Sequence, residues 1–166
     1  MKGMKKKLFM LFFGLMTVVS ASAQFEQGKL YASAGLTNLD LHYNANTKWD
    51  LGLNAKVGYM FMDDWMLLAE GQWNLRQEAP NDFRLGAGLR YHIEQNGLYL
   101  GAGANYKHTE GYDDFLPNVN LGYTFFISRT VTIEPELYYD MSLKDFKNYS
   151  GLGLRIGFGI YLDELF

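Results

Sequence analysis

Six charged residues stand at the middle of alternating apolar and polar runs: Lys56 in "WDLGLNAKVGYMF", Glu70 in "WMLLAEGQWNL", Arg90 in "FRLGAGLRYHI", Glu134 and Glu136 in "VTIEPELYY", and Arg155 in "GLGLRIGFG". Three are cations and three are anions. Groups of this kind withdrawn from water compensate one another as ion pairs, because a lone buried charge is costly. Antiparallel neighbours in a hairpin have position numbers with a nearly constant sum. The turn at Asp63-Asp64 therefore sets Glu70 beside Lys56, and a connection centred near Pro80 sets it beside Arg90 as well. A connection centred near Asp145 pairs Glu136 with Arg155. The alternative is separate hydration of each group, with no pairing.

Other chemistry finds less support in the residue types. Of the three histidines, His92 falls near a tight turn, away from the longer connections, and neither His42 nor His108 has a serine at a diagnostic spacing, so a nucleophile and base pair is not assembled. Glu110, Asp113 and Asp114 could attract calcium weakly, but a solvated acidic loop is the simpler account. The stretches "GAGLRY", "GAGANY" and "GLGLRIGFG" open no helix, which a phosphate-cradling glycine motif requires. With no cysteine, a disulfide framework and a cysteine-bearing metal site are both ruled out. The expectation is a chain with no catalytic residue, metal site or cofactor.

The elements that must position the six charges are strands. Period-two runs cover about 29–37, 49–62, 65–76, 83–93, 97–108, 115–127, 130–141 and 150–162. Every second connection is tight: Asp63-Asp64, then Glu94-Gln95-Asn96 with its Asn96-Gly97 turn dipeptide, then Ser128-Arg129. The others, "NLDLHYNANTK", "QEAPND", "TEGYDD" and "SLKDFKNYS", are longer and polar. Short turns at one rim and long loops at the other are a transmembrane-barrel pattern, with the long loops external.

One face of every strand is continuously apolar and carries no charge; the other holds the six charges and many glycines. A soluble barrel would turn the apolar face inward. Two features favour the reverse. Aromatics mark two levels, with Tyr59, Phe61, Trp65, Tyr91, Tyr123 and Phe125 near the short-turn rim. Trp49, Trp73, Phe83, Tyr106, Phe115 and Tyr139 lie toward the other, as bilayer interfaces require. The glycines fall on the polar face, where a narrow lumen needs small residues beside large ones, whereas a water-facing strand gains nothing from them. With the apolar face in lipid, unpaired strand edges have no partner, so the sheet must close. The fold class is an all-β, closed, eight-stranded antiparallel up-and-down transmembrane β-barrel. Near the short-turn rim its lumen would hold Tyr31, Met60, Met66, Leu68, Tyr99, Phe126 and Tyr161. Eight strands leave interior space only for side chains, so this apolar layer is expected to plug the periplasmic end.

The first residues are set apart from the barrel. Lys2, Lys5, Lys6 and Lys7, the apolar run from Leu8 to Val19, and Ala21-Ser22-Ala23 have the anatomy of a cleaved signal peptide. The domains expected are 1–23, signal peptide, and 24–166, barrel. Removing four lysines leaves 11 basic against 18 acidic residues, a net charge of −7, which offers no electrostatic footprint for nucleic acid.

Signal peptide, eight amphipathic strands, alternating loop lengths and a C-terminal Phe166 together resemble the small outer-membrane β-barrel family that includes OmpA-type and OmpX-type barrels, over essentially the whole mature chain. The resemblance implies the outer membrane of a Gram-negative bacterium, outer-membrane lipids as surroundings, and a terminal aromatic read by the barrel-assembly machinery. Phe166, Leu162, Ile160 and Phe158 match that assembly signal, and Glu164 departs from it. The function expected is non-enzymatic: a structural or surface-interaction role through four long external loops, with an unknown surface ligand. The alternatives are a lipid A deacylase or acyltransferase type of outer-membrane enzyme and a soluble lipocalin-like barrel.

Overall fold

The computed structural model describes residues 25–36, 51–75, 82–93 and 97–163. Its strands are β1 (Leu30–Leu36), β2 (Leu51–Met62), β3 (Trp65–Leu75), β4 (Asp82–His92) and β5 (Leu98–Thr109). They continue with β6 (Tyr112–Tyr123, resumed at Phe125–Phe126), β7 (Val131–Asp140) and β8 (Gly151–Leu162), with a helical turn α1 (Phe146–Tyr149) between the last two. Each strand pairs antiparallel with the next. β1 pairs with both β2 and β8, Leu30 facing Tyr59 on one side and Leu162 on the other, so the sheet closes on itself. Strands of up to 12 residues exceed the about 9–11 that a tilted spanning strand needs.

Closure decides which face is inside. Met60 is fully buried while Val57, at the opposite parity of the same strand, is 60% exposed. Glu136 is 2% exposed and its neighbour Leu137 is 42%. Leu53, Leu67, Leu85, Leu100, Val119 and Phe158 are outside as well. Charged and polar residues therefore fill the interior and aliphatic residues cover the outside, the inverse of a soluble barrel.

Two expectations about the connections need correction. "TEGYDD" is not a long loop: β5 runs to Thr109, β6 begins at Tyr112, and only Glu110 and Gly111 lie between. Gly111, at φ +80°, supplies the left-handed residue for the tight turn. Pairing continues through Lys107↔Asp114 and His108↔Asp113. Nor is β6 uninterrupted. Its ladder to β7 stops at Gly122↔Glu136 and resumes at Phe125↔Ile133; Pro135 falls in that gap and has no N–H to donate. The loops 37–50 and 76–81 lie outside the described residues, as do the signal segment and Phe166.

Candidate functional site

The short-turn end of the lumen is aromatic and apolar. Tyr31, Met60, Met66 and Tyr161 pack in one buried cluster with Leu68 and Phe126 against it. Its remaining member is Phe25, which no periodicity in the sequence marks. The Phe25 ring stacks on His92 at 4.0 Å and 16°, and its edges meet Tyr161 and Phe126 at 5.6 and 5.7 Å. The chain entering β1 is tied to the first short turn by Asp64 N–H donating to Phe25 C=O at 2.8 Å and Gln27 N–H donating to the Asp63 carboxylate at 2.8 Å. Asp64, at φ 64°, also accepts from His92 N–H through its carbonyl at 2.8 Å. His92 is thus a fully buried packing residue.

Above this layer the six charges converge. Arg90 donates to Glu134 at 2.9 Å and to Glu136 at 3.5 Å, with its guanidinium 3.9 Å from the Tyr99 ring centre and 5.2 Å from that of Tyr31. Glu134 also accepts from the Tyr31 hydroxyl at 2.7 Å and the Thr132 hydroxyl at 3.0 Å. Glu136 is the hub. It accepts from Lys56 Nζ at 3.2 Å and from the Tyr99 hydroxyl at 2.9 Å, and Arg155 Nε lies 2.7 Å away as an ion-pair contact. Glu70 lies 3.7 Å from Lys56 and 3.5 Å from Arg155. Each carboxylate thus has at least one cation, the condition under which buried charge is tolerable.

Lys56↔Glu70 and Glu136↔Arg155 are direct cross-strand pairs. Glu70 beside Arg90 is not found. Arg90 stands opposite Met66, and Glu70 opposite Gly86, because the β3–β4 ladder runs from Trp65↔Tyr91 to Asn74↔Asp82. Arg90 turns instead to Glu134 and Glu136 of β7 across the lumen.

A second charged layer nearer the other rim has no counterpart in the sequence reading. Arg84 contacts Asp82 at 3.3 Å and Asp140 at 3.1 Å, and Lys107 contacts Asp82 at 3.5 Å. These residues share the inward parity of the first six, so carrying the alternation to the strand ends would have found them. Farther out, buried Asp114 accepts from the Ser142 hydroxyl, from Tyr112 at 3.1 Å, and from the backbone N–H of Phe115 and Lys144 at 2.8 and 3.3 Å. Asp113, the adjacent residue, lies on the opposite face and pairs with His108. Asp113 and Asp114 therefore cannot share one cation. The His108–Asp113 pair resembles the base-and-orienter half of a hydrolase site, but among the described residues no serine or threonine hydroxyl bonds to His108. Ser142 is buried and donates to Asp114 instead.

Glycines let these layers fit. A Cβ on Gly122 would overlap the Tyr99 ring, and one on Gly101 would overlap the Asn120 amide. Between Lys56, Glu134, Glu136, Arg155 and Gly157 the space left is about 10 Å³, room for a single water.

A family model described as the outer membrane protein beta-barrel domain matches residues 9–166. Comparison with curated proteins returns no match. Among solved structures, the N-terminal barrel domain of Pseudomonas aeruginosa OprF aligns with a TM-score of 0.65 at 13% identity, over 82% of this chain and 98% of that one. Neisserial surface protein A aligns at 0.57 and 18%, over 80% and 95%. Ail of Yersinia pestis, in a phospholipid nanodisc, aligns at 0.57 and 15%, over 82% and 100%. At these identities the structures speak for the fold. The family model spans nearly the whole sequence, and on that ground the chain belongs to the outer membrane protein beta-barrel domain family.

Proposed function

We propose that this chain is a non-enzymatic integral barrel of a Gram-negative outer membrane, exported by its N-terminal signal, with a lumen closed to solutes. The observation that carries this reading is the filling of the interior. Aromatic, ion-pair and outer charged layers succeed one another along the axis, and the space among the central charges holds about one water. A barrel with no solute path acts through its outer surface and its rims. Its role is then structural, or it meets a surface ligand through the external connections, among outer-membrane lipids and after insertion by the barrel-assembly machinery. Liposome swelling tests the reading. Vesicles holding the refolded mature barrel should swell in small sugars no faster than empty vesicles, and sugar entry that rises with protein content would overturn it.

A further inference from the structure

The segment Leu143–Lys147, at the long-loop rim, combines two exposed apolar residues with two exposed lysines. Leu143 is 67% and Phe146 60% exposed. Together they make a small apolar patch beside the basic residues, and the segment is not loosely held. Asp114 accepts from Lys144 N–H and the Ser142 hydroxyl, Ser142 Oγ accepts from Asp145 N–H at 3.0 Å, and Ser150 Oγ accepts from Ser142 N–H at 2.9 Å. The exposed residues are therefore presented by a fixed scaffold.

The register shows where they are presented. Met141 N–H donates to Pro117 C=O at 2.8 Å and Leu143 N–H to Phe115 C=O at 3.4 Å, extending the β6–β7 ladder beyond Asp140. Leu143 thereby shares the outward parity and the level of Phe115, which is exposed and stands opposite Tyr106. It continues the lipid-facing belt at its upper aromatic level. Lys144 follows directly, its Nζ 5.3 Å from the Tyr112 ring centre. Phe146 and Lys147 repeat the apolar-basic pairing in the helical turn. Among the described residues neither lysine forms an ion pair.

We infer that residues 143–147 dock on the surface of the surrounding lipid leaflet, with Leu143 and Phe146 entering the headgroup–acyl boundary and Lys144 and Lys147 meeting lipid phosphates. Apolar feet beside flexible cations are the combination that interfacial binding to anionic lipid uses. This deepens the proposed surface role and rests on that reading, since it names lipid phosphate as the partner of one external connection.

The chain has no cysteine, so a fluorophore can be placed at Phe146→Cys alone in the refolded full barrel, in nanodiscs of phosphatidylcholine and phosphatidylglycerol. Phe115→Cys serves as the lipid-level control and Glu110→Cys as the aqueous one. Headgroup spin-labelled lipid should quench position 146 as it quenches 115, while iodide quenches 110 but not 146. Spin-labelled phosphatidylglycerol should quench 146 better than the phosphatidylcholine analogue, with a preference of roughly five-fold or more, and K144Q/K147Q should abolish that preference. Iodide reaching 146 as freely as 110, or a headgroup preference unchanged by the lysine substitutions, would overturn the proposal. Leu143→Cys repeats the measurement should Phe146→Cys disturb the turn. The readout does not depend on lumen closure, so it stands or falls separately from liposome swelling. Surface labelling of a tag at Lys147 on intact cells tests the rim's orientation independently.

Discussion

Arg155 Nε lies 2.7 Å from Glu136, and the two residues are also direct partners in the β7–β8 ladder, so backbone register and charge pairing enforce one another. Glu136 further receives Lys56, Arg90 and Tyr99. Glu136→Ala should cost about 3 kcal/mol in urea unfolding of the lipid-refolded barrel, because it leaves buried cations uncompensated. Removing Glu136 and Arg155 together should cost clearly less than the two single losses added. Additive losses would mean that the lumen charges act independently.

The two lumen glycines Gly122 and Gly157 should respond oppositely to alanine. At Gly122 the new methyl meets the Tyr99 ring, whose hydroxyl is held by Glu136; at Gly157 the nearest atom is the Glu134 carbonyl oxygen at 4.0 Å. Gly122→Ala should destabilise by about 1–3 kcal/mol through overpacking. Gly157→Ala should be neutral, or stabilise by up to about 1 kcal/mol through the unfolded chain. Comparing unfolding midpoints at equal m-values checks both.

Phe25 gives the short-turn end its last aromatic. Phe25→Ala should cost about 3 kcal/mol and open that end to water. In this cysteine-free chain, a thiol at Phe126→Cys should label slowly with a polar maleimide when Phe25 is present and many times faster in the Phe25→Ala background. Equal rates would show that Phe25 seals nothing.

The outward face should reject charge although it is exposed. Val57→Arg, near the middle of β2, should cost about 2–4 kcal/mol in a bilayer, where a water-facing site would tolerate the change. Reversible unfolding from lipid vesicles supplies the comparison with the parent barrel.

The strands and their two faces were legible because one rule, alternation, runs through all eight. Lys56 and Glu136 sit at the parity opposite to Val57 and Leu137, and a closed sheet leaves each face only one place to go. The register of Lys56 with Glu70 was legible to within one residue: the Asp63-Asp64 turn pairs Met62 with Trp65, and a bulge between Met60 and Met62 shifts the ladder to set Lys56 opposite Glu70. The approach of Arg90 to Glu134 was not. It depends on how the β3–β4 hairpin is centred and on side chains crossing the lumen, and neither leaves a mark in local spacing. Asp113 and Asp114 read as loop by composition, yet Gly111 lets the ladder run past them. Phe25 belongs to no periodic run, so its place in the lumen follows only from backbone bonds to Asp64.

Planar-bilayer recording of the purified mature barrel tests the central claim most directly. With the apolar and aromatic layer of Met60, Met66, Tyr161 and Phe25 below and the Glu136 hub above it, the barrel should show little or no steady conductance, and Phe25→Ala alone should add only brief openings while the charged layer stays in place. Large, stable channels from a preparation free of other porins would contradict the account.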